Sequence, residues 1–99
     1  MLGYLYDRSG DAVGVRHGEY IYDMDGEAIG WVQGSHVYRL GGDYVGELFQ
    51  DMVVDQWLSN PGAMGRITNP GRIPRPDRPV GRGPLDYGYP DMFFKLLEE

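Results

Sequence analysis

Ninety-nine residues, 41% of them hydrophobic, suffice for one domain with a single modest core. The lack of cysteine excludes a disulfide framework and thiol chemistry, and no run of eighteen apolar residues is present to span a membrane. A net charge of −6 repels phosphate and argues against general nucleic-acid binding.

The charge is unevenly spread. Residues 1–60 carry three arginines against ten carboxylates, whereas residues 61–99 carry six bases against five acids. All seven prolines also follow residue 60, so the composition changes near Asn60-Pro61. The start, Met1-Leu2-Gly3-Tyr4, has neither the basic region nor the apolar run of a signal peptide, and the expected location is cytoplasmic.

From the N-terminus, the first feature is an internal repeat. Tyr6-Asp7-Arg8-Ser9-Gly10-Asp11-Ala12-Val13-Gly14 returns 16 residues later as Tyr22-Asp23-Met24-Asp25-Gly26-Glu27-Ala28-Ile29-Gly30. After another 16 it returns as Tyr38-Arg39-Leu40-Gly41-Gly42-Asp43-Tyr44-Val45-Gly46. A fourth copy over 54–62 is degenerate: Val54-Asp55 and Gly62 are in place, but Leu58 replaces the turn glycine and Pro61 the β-branched residue.

Each unit reads as a hairpin. The pairs Ser9-Gly10, Asp25-Gly26 and Gly41-Gly42 suit two-residue type I′ turns, and His17-Gly18, Gln33-Gly34 and Phe49-Gln50 supply turns between units. Strand side chains alternate between faces, so counting outward from these turns places them in two rows. One row is Tyr6, Val13, Tyr22, Ile29, Tyr38, Val45, Val54; the other is Leu5, Gly14, Ile21, Gly30, Val37, Gly46, Val53. Glycine weakens a strand, so Gly14, Gly30 and Gly46 imply a need for close approach, and this face is expected to point inward. Tyr6, Tyr22 and Tyr38 read as repeated packing residues.

The repeated Tyr-Asp-x-x-Gly-[Asp/Glu]-x-[Val/Ile]-Gly unit resembles the small prokaryotic four-fold β-flower proteins over roughly residues 2–62. The resemblance implies four hairpins in pseudo-fourfold arrangement and carries over no catalytic residue. A single unit is also similar to the Asp-x-x-Gly-x-x-Ile-Gly segment of PRC-barrel domains, which lack a tandem array at this spacing. The expected fold is all-β: an antiparallel meander of hairpins over 1–62, a Pro/Gly/Arg-rich arm over 63–90 and a short helix over 91–99.

The arm's Pro74-Arg75-Pro76-Asp77-Arg78-Pro79 favours polyproline II. Its arginines, among them Arg72, Arg75 and Arg78, would dock on the acidic flower or a neighbour, or recognise an acidic partner if the arm were free. Asp91 is placed to cap the terminal helix. Phe93, Phe94, Leu96 and Leu97 would anchor that helix on its own core or on a second subunit, because nine residues do not hold a helix alone.

Chemistry-bearing groups are few. His36 is expected to face Trp31 on one side and Glu47 on the other, and a His–Glu pair is more often a cross-strand contact than an acid–base dyad. Asp7, Asp23 and Asp55 share one repeat position, broken by Arg39; turn chemistry explains them more simply than a cation site. Trp31 and Tyr44 depart from the repeat and are the better candidates for an exposed contact. No catalytic set, metal-ligand set or cofactor motif is present. The resulting expectation is a non-enzymatic interaction or scaffold module that self-associates or binds a protein partner, without nucleic-acid or membrane partners. The alternative is a small-ligand binder or enzyme with a pocket near Trp31, His36 and Glu47.

Overall fold

In a computed structural model, residues 2–56, 61–62, 65–84 and 87–97 are described. Among these residues seven strands follow one another: β1 (Leu2–Tyr6), β2 (Ala12–His17), β3 (Tyr20–Asp23), β4 (Ala28–Gln33), β5 (His36–Arg39), β6 (Tyr44–Phe49) and β7 (Met52–Val54). They form a single antiparallel sheet in chain order. A hydrogen bond from the Tyr6 N–H to the Asp51 carbonyl brings β1 back towards β7, so the sheet is nearly closed. One helical turn, α1 (Phe94–Leu97), ends the described chain.

The 16-residue period is present throughout, but the turns differ from the sequence expectation in two ways. Within each unit the loop has three residues, not two. The Asp7 N–H donates to the Asp11 carbonyl at 2.9 Å and the Gly10 N–H to the Asp7 carbonyl at 3.0 Å. Only the last loop residue has positive φ: +87° at Gly10, with +88° and +103° at its counterparts Gly26 and Gly42. This is a turn followed by a left-handed glycine bulge, which adds a residue to the outgoing strand. Leu5 pairs with Gly14 as expected, but Tyr6 pairs with Ala12 and Val13 becomes the extra residue. The same step recurs with Tyr22 opposite Ala28 and Tyr38 opposite Tyr44. Val13, Ile29 and Val45 therefore leave the tyrosine row and pack with the core of Leu5, Ile21, Val37 and Val53.

Between units the turns lie one residue later, at Gly18-Glu19, Gly34-Ser35 and Gln50-Asp51, closed by His17–Tyr20, Gln33–His36 and Phe49–Met52. The pairing moves by two residues relative to the count, so every side chain stays on its face. What changes is the neighbour: Trp31 lies opposite Tyr38, not His36.

The fourth hairpin is built differently from the others. Four residues of its degenerate copy, 57–60, lie outside the described residues. The open side of β7 is occupied by the end of the chain. Asp91 is the antiparallel partner of Val54, flanked by bonds from Asp55 N–H to the Pro90 carbonyl (3.0 Å) and from Met92 N–H to the Val53 carbonyl (2.8 Å). Residues 90–92 thus pair with the β7 edge through a single antiparallel bridge. An unpaired edge is a liability, and here the protein covers it with its own chain.

A Cβ on Gly14 would lie 2.6 Å from the Tyr22 carbonyl oxygen and 2.7 Å from the Phe93 ring, and one on Gly30 would lie 2.7 Å from Leu96 and 2.9 Å from the Tyr38 carbonyl oxygen. One on Gly46 would lie 2.6 Å from the Val54 carbonyl oxygen, with Met92 at an ordinary 3.5 Å. The glycines thus admit the backbone of the neighbouring strand at all three positions and, at Gly14 and Gly30, the C-terminal turn as well. Phe93 and Leu96 are buried at 2% and 4% exposure, whereas Phe94 and Leu97 remain 52% and 54% exposed.

The arm runs around the rim in reverse order of the units. Ile67, Ile73 and Arg82 donate backbone N–H bonds of 2.8–2.9 Å to the carbonyls of Leu40, Gly26 and Gly10. Ile73, Pro76 and Pro79 are half-buried between exposed neighbours, the threefold spacing of a polyproline II ridge resting on one face. Arg72 pairs with Glu27 at 3.1 Å, Arg75 with Asp25 at 2.9 Å, and Arg78 donates to the Ala12 carbonyl at 3.0 Å. Arg82 pairs with Asp51 and lies 5.0 Å above the Tyr6 ring.

Candidate functional site

The polar group of greatest interest is Glu47, buried at 1% exposure on β6. In the other units its repeat position holds Val15 and Trp31, so the carboxylate is peculiar to the third hairpin. The in-unit register sets it directly opposite His36 on β5. His36 Nδ1 lies 2.7 Å from Glu47 Oε2, the Tyr44 hydroxyl donates to Oε2 at 2.5 Å, and Ser35 Oγ donates to Oε1 at 2.7 Å. Because a carboxylate only accepts, the shared proton belongs on Nδ1 of His36.

Burial by itself would raise the Glu47 carboxyl. The bonds from Tyr44, His36 and Ser35 together outweigh it, and its pKa falls below the ordinary 4.5. The Tyr44 hydroxyl moves the opposite way, raised first by burial and then by its bond to the Glu47 carboxylate. A depressed carboxyl stabilises the fold above its unfolded pKa, and that contribution is lost as pH falls through the folded value. Wild type should therefore be more stable than Glu47→Gln by about 1–3 kcal/mol at neutral pH, with the gap closing on acidification below 4.5. Paired thermal melts from pH 7 down to pH 3 check this; a gap that stays constant would remove the charge from the explanation.

Around the carboxylate the aromatic rings interlock. Tyr38 lies 5.9 Å from Tyr44, 6.5 Å from His36 and 6.4 Å from Trp31, and His36 lies 6.1 Å from Tyr44. Of the candidates read from the sequence, His36, Glu47 and Tyr44 thus meet directly, with Trp31 joined through Tyr38. Trp31 and Tyr44 are half-buried, and the Tyr44 hydroxyl is committed to Glu47. Ser35 was missed because it sits in a turn, where serine carries no separate signal.

The other candidates are dispersed. Asp7 Oδ1 accepts the Ser9 and Asp11 N–H groups, and Asp23 Oδ1 those of Asp25 and Glu27, at 2.9–3.0 Å. These are Asx-turn bonds. Arg39 interrupts that series for a visible reason: its Nε donates to the Lys95 carbonyl at 2.7 Å, holding the end of the C-terminal turn. Asp91 has a double role, accepting the Arg8 N–H on Oδ2 at 3.2 Å and the Phe93 N–H on Oδ1 at 3.0 Å. Two surface grooves lie away from the Glu47 cluster. One, of about 380 Å³, lies between Tyr4, His17 and arm residues 73–77; the other, of about 390 Å³, is bordered by Leu40, Gly41 and residues 66–69. No helix among the described residues is long and apolar enough to cross a membrane.

Comparison with curated proteins and with solved structures gives no match. A family profile described as 4-fold beta flower protein matches residues 3–87. That span takes in the hairpin repeats and most of the rim-binding arm, and the chain belongs to the 4-fold beta flower family.

Proposed function

We propose that this protein is a non-enzymatic interaction module that associates with a second copy of itself. The observation that supports the reading best is the division of the C-terminal turn. Phe93 and Leu96 enter the core, while Phe94 and Leu97 stand on the outer side at 52% and 54% exposure. The shallow groove beside Leu97 is lined by Ala28, Ile29 and Leu96 together with Asp23, Asp25 and Glu27, so carboxylates rim this side of the exposed apolar residues. Paired outward-facing apolar residues on a covered sheet edge favour a protein partner, and two-fold self-pairing is the commonest closed arrangement. The net charge of −6 favours protein over nucleic acid as that partner.

Phe94→Asp combined with Leu97→Asp should convert the dimer to monomer in sedimentation velocity while leaving the melting temperature nearly unchanged. Wild type that sediments only as monomer at high concentration would overturn the self-association reading.

A second reading rests on the Glu47–His36 pair, since a buried carboxylate holding Nδ1 leaves the other imidazole nitrogen directed away from it. A small ligand taken up beside Trp31 and His36 would quench Trp31 fluorescence in wild type, and at least tenfold more weakly in His36→Ala. Equal titrations in the two proteins would exclude this site.

A further inference from the structure

We infer that the groove between the third hairpin and the arm takes a small apolar monocarboxylate, held by Arg66 at its carboxylate and by Leu40 and Ile67 along its hydrocarbon. The groove includes neither Phe94 nor Leu97, and the site does not depend on self-association.

The arm meets the second and third units in the same way. Arg72-Ile73 and Arg66-Ile67 are the same dipeptide, and each isoleucine donates its N–H to a turn carbonyl, Ile73 to Gly26 and Ile67 to Leu40. At the second unit the arginines beside that bond are neutralised by the flower. Arg72 lies 3.1 Å from Glu27, and Arg75 lies 2.9 Å from Asp25. The 16-residue period puts Asp43 and Gly41 at those two carboxylate positions in the third unit. Asp43 pairs with Arg39 at 3.6 Å, an arginine that stands where the second unit has Asp23. Gly41 has no side chain to offer. Farther along the arm, Arg78 donates to the Ala12 carbonyl and Arg82 pairs with Asp51. Among the described residues, Arg66 is therefore the one arm arginine without a carboxylate or carbonyl partner.

Arg66 borders a groove of about 390 Å³ shared with Leu40, Gly41, Ile67, Thr68 and Asn69. Small-molecule sites have volumes of this order. The polar side chains of the groove can all donate. Asn69 Oδ1 accepts the Gly71 N–H at 2.8 Å, which leaves its amide N–H groups to join the Arg66 guanidinium and the Thr68 hydroxyl. No carboxylate lines it among the described residues, although the chain carries a net charge of −6. The arm wall is also fixed in place, by the 2.8 Å bond from Ile67 to Leu40 and by the Tyr20 hydroxyl, which donates to the Thr68 carbonyl at 3.3 Å. The planar fork of an arginine favours a carboxylate, the group that Glu27 supplies to Arg72. One negative charge replaces what Gly41 lacks, and a more highly charged anion would be repelled by the acidic flower. Leu40 and Ile67, both half-buried, give the hydrocarbon an apolar surface.

Gly41→Asp supplies the missing carboxylate from within the chain, and nothing lies within 4 Å of a Cβ at that position. Hexanoate titrated into isotope-labelled wild type should shift the amide resonances of residues 40, 41 and 66–69 to saturation. Its affinity should fall at least about tenfold in Arg66→Gln, and by as much in Gly41→Asp. Arg66 is exposed, so both variants should otherwise keep the wild-type spectrum. Hexanamide, which keeps the hydrocarbon without the charge, should bind all three proteins equally poorly. Absence of a saturable shift with hexanoate overturns the site, and so do titrations unchanged by either substitution. Inorganic phosphate binding as tightly as hexanoate would reduce the groove to a general anion site and overturn the carboxylate assignment. A blocked glutamate dipeptide binding more tightly than hexanoate would overturn the small-molecule assignment in favour of a protein's carboxylate.

Discussion

Phe93→Ala should remove most of the stability of this protein, whereas Phe94→Ala beside it should change stability by no more than about 0.5 kcal/mol. Phe93 is 2% exposed and its ring occupies the cavity left by Gly14. Truncating a buried Phe typically costs about 3–5 kcal/mol, against a total of about 5–15 kcal/mol for an ordinary domain. The loss is amplified here because Phe93 follows the segment that pairs with β7. Loosening the turn also weakens the bonds from Asp55 to Pro90 and from Met92 to Val53. Phe94 is 52% exposed and carries no comparable load. Urea titrations followed by circular dichroism would measure both variants. Equal midpoints would mean that the C-terminal turn is not part of the core.

Much of this architecture is legible in the sequence because a 16-residue period constrains every strand at once. The pairs Leu5–Gly14, Ile21–Gly30 and Val37–Gly46 follow from counting, and so does His36 opposite Glu47. The turn type does not follow, since Asp-Gly and Ser-Gly serve a two-residue turn and a glycine-bulge loop equally well. That ambiguity moves Val13, Ile29 and Val45 from one face to the other and brings Tyr44 opposite Tyr38. It is also why the Glu47 cluster reads incompletely: His36 and Glu47 come from the register, whereas Ser35 and Tyr44 come from the turn and the bulge. Part of the purpose of the glycine row was hidden for a different reason. Its partners Phe93 and Leu96 lie beyond the proline-rich arm, and nothing in the repeat states what fills the space it leaves.

Gly30→Val gives the sharpest test of that packing, because its cost should depend on what Leu96 is. The added Cβ would stand 2.7 Å from Leu96 Cδ2 and 2.9 Å from the Tyr38 carbonyl oxygen. Real Cβ contacts are not that short, so Leu96 must withdraw and the strand must give slightly. Overpacking of this kind costs about 1–3 kcal/mol, and Leu96→Ala alone about 2–5 kcal/mol. Together they should cost less than their sum, since alanine at 96 clears the space that valine at 30 requires. A coupling of about 0.5–3 kcal/mol is the expected size for residues in direct contact. Gly46→Val is the contrasting case. Its Cβ would meet the Val54 carbonyl oxygen at 2.6 Å, which is backbone, so Met92→Ala should rescue little. Gly3→Val has nothing within 4 Å of the new Cβ and should be tolerated. A double-mutant cycle by chemical denaturation separates these outcomes. Strict additivity at Gly30 and Leu96 would mean that the C-terminal turn does not sit on the glycine row.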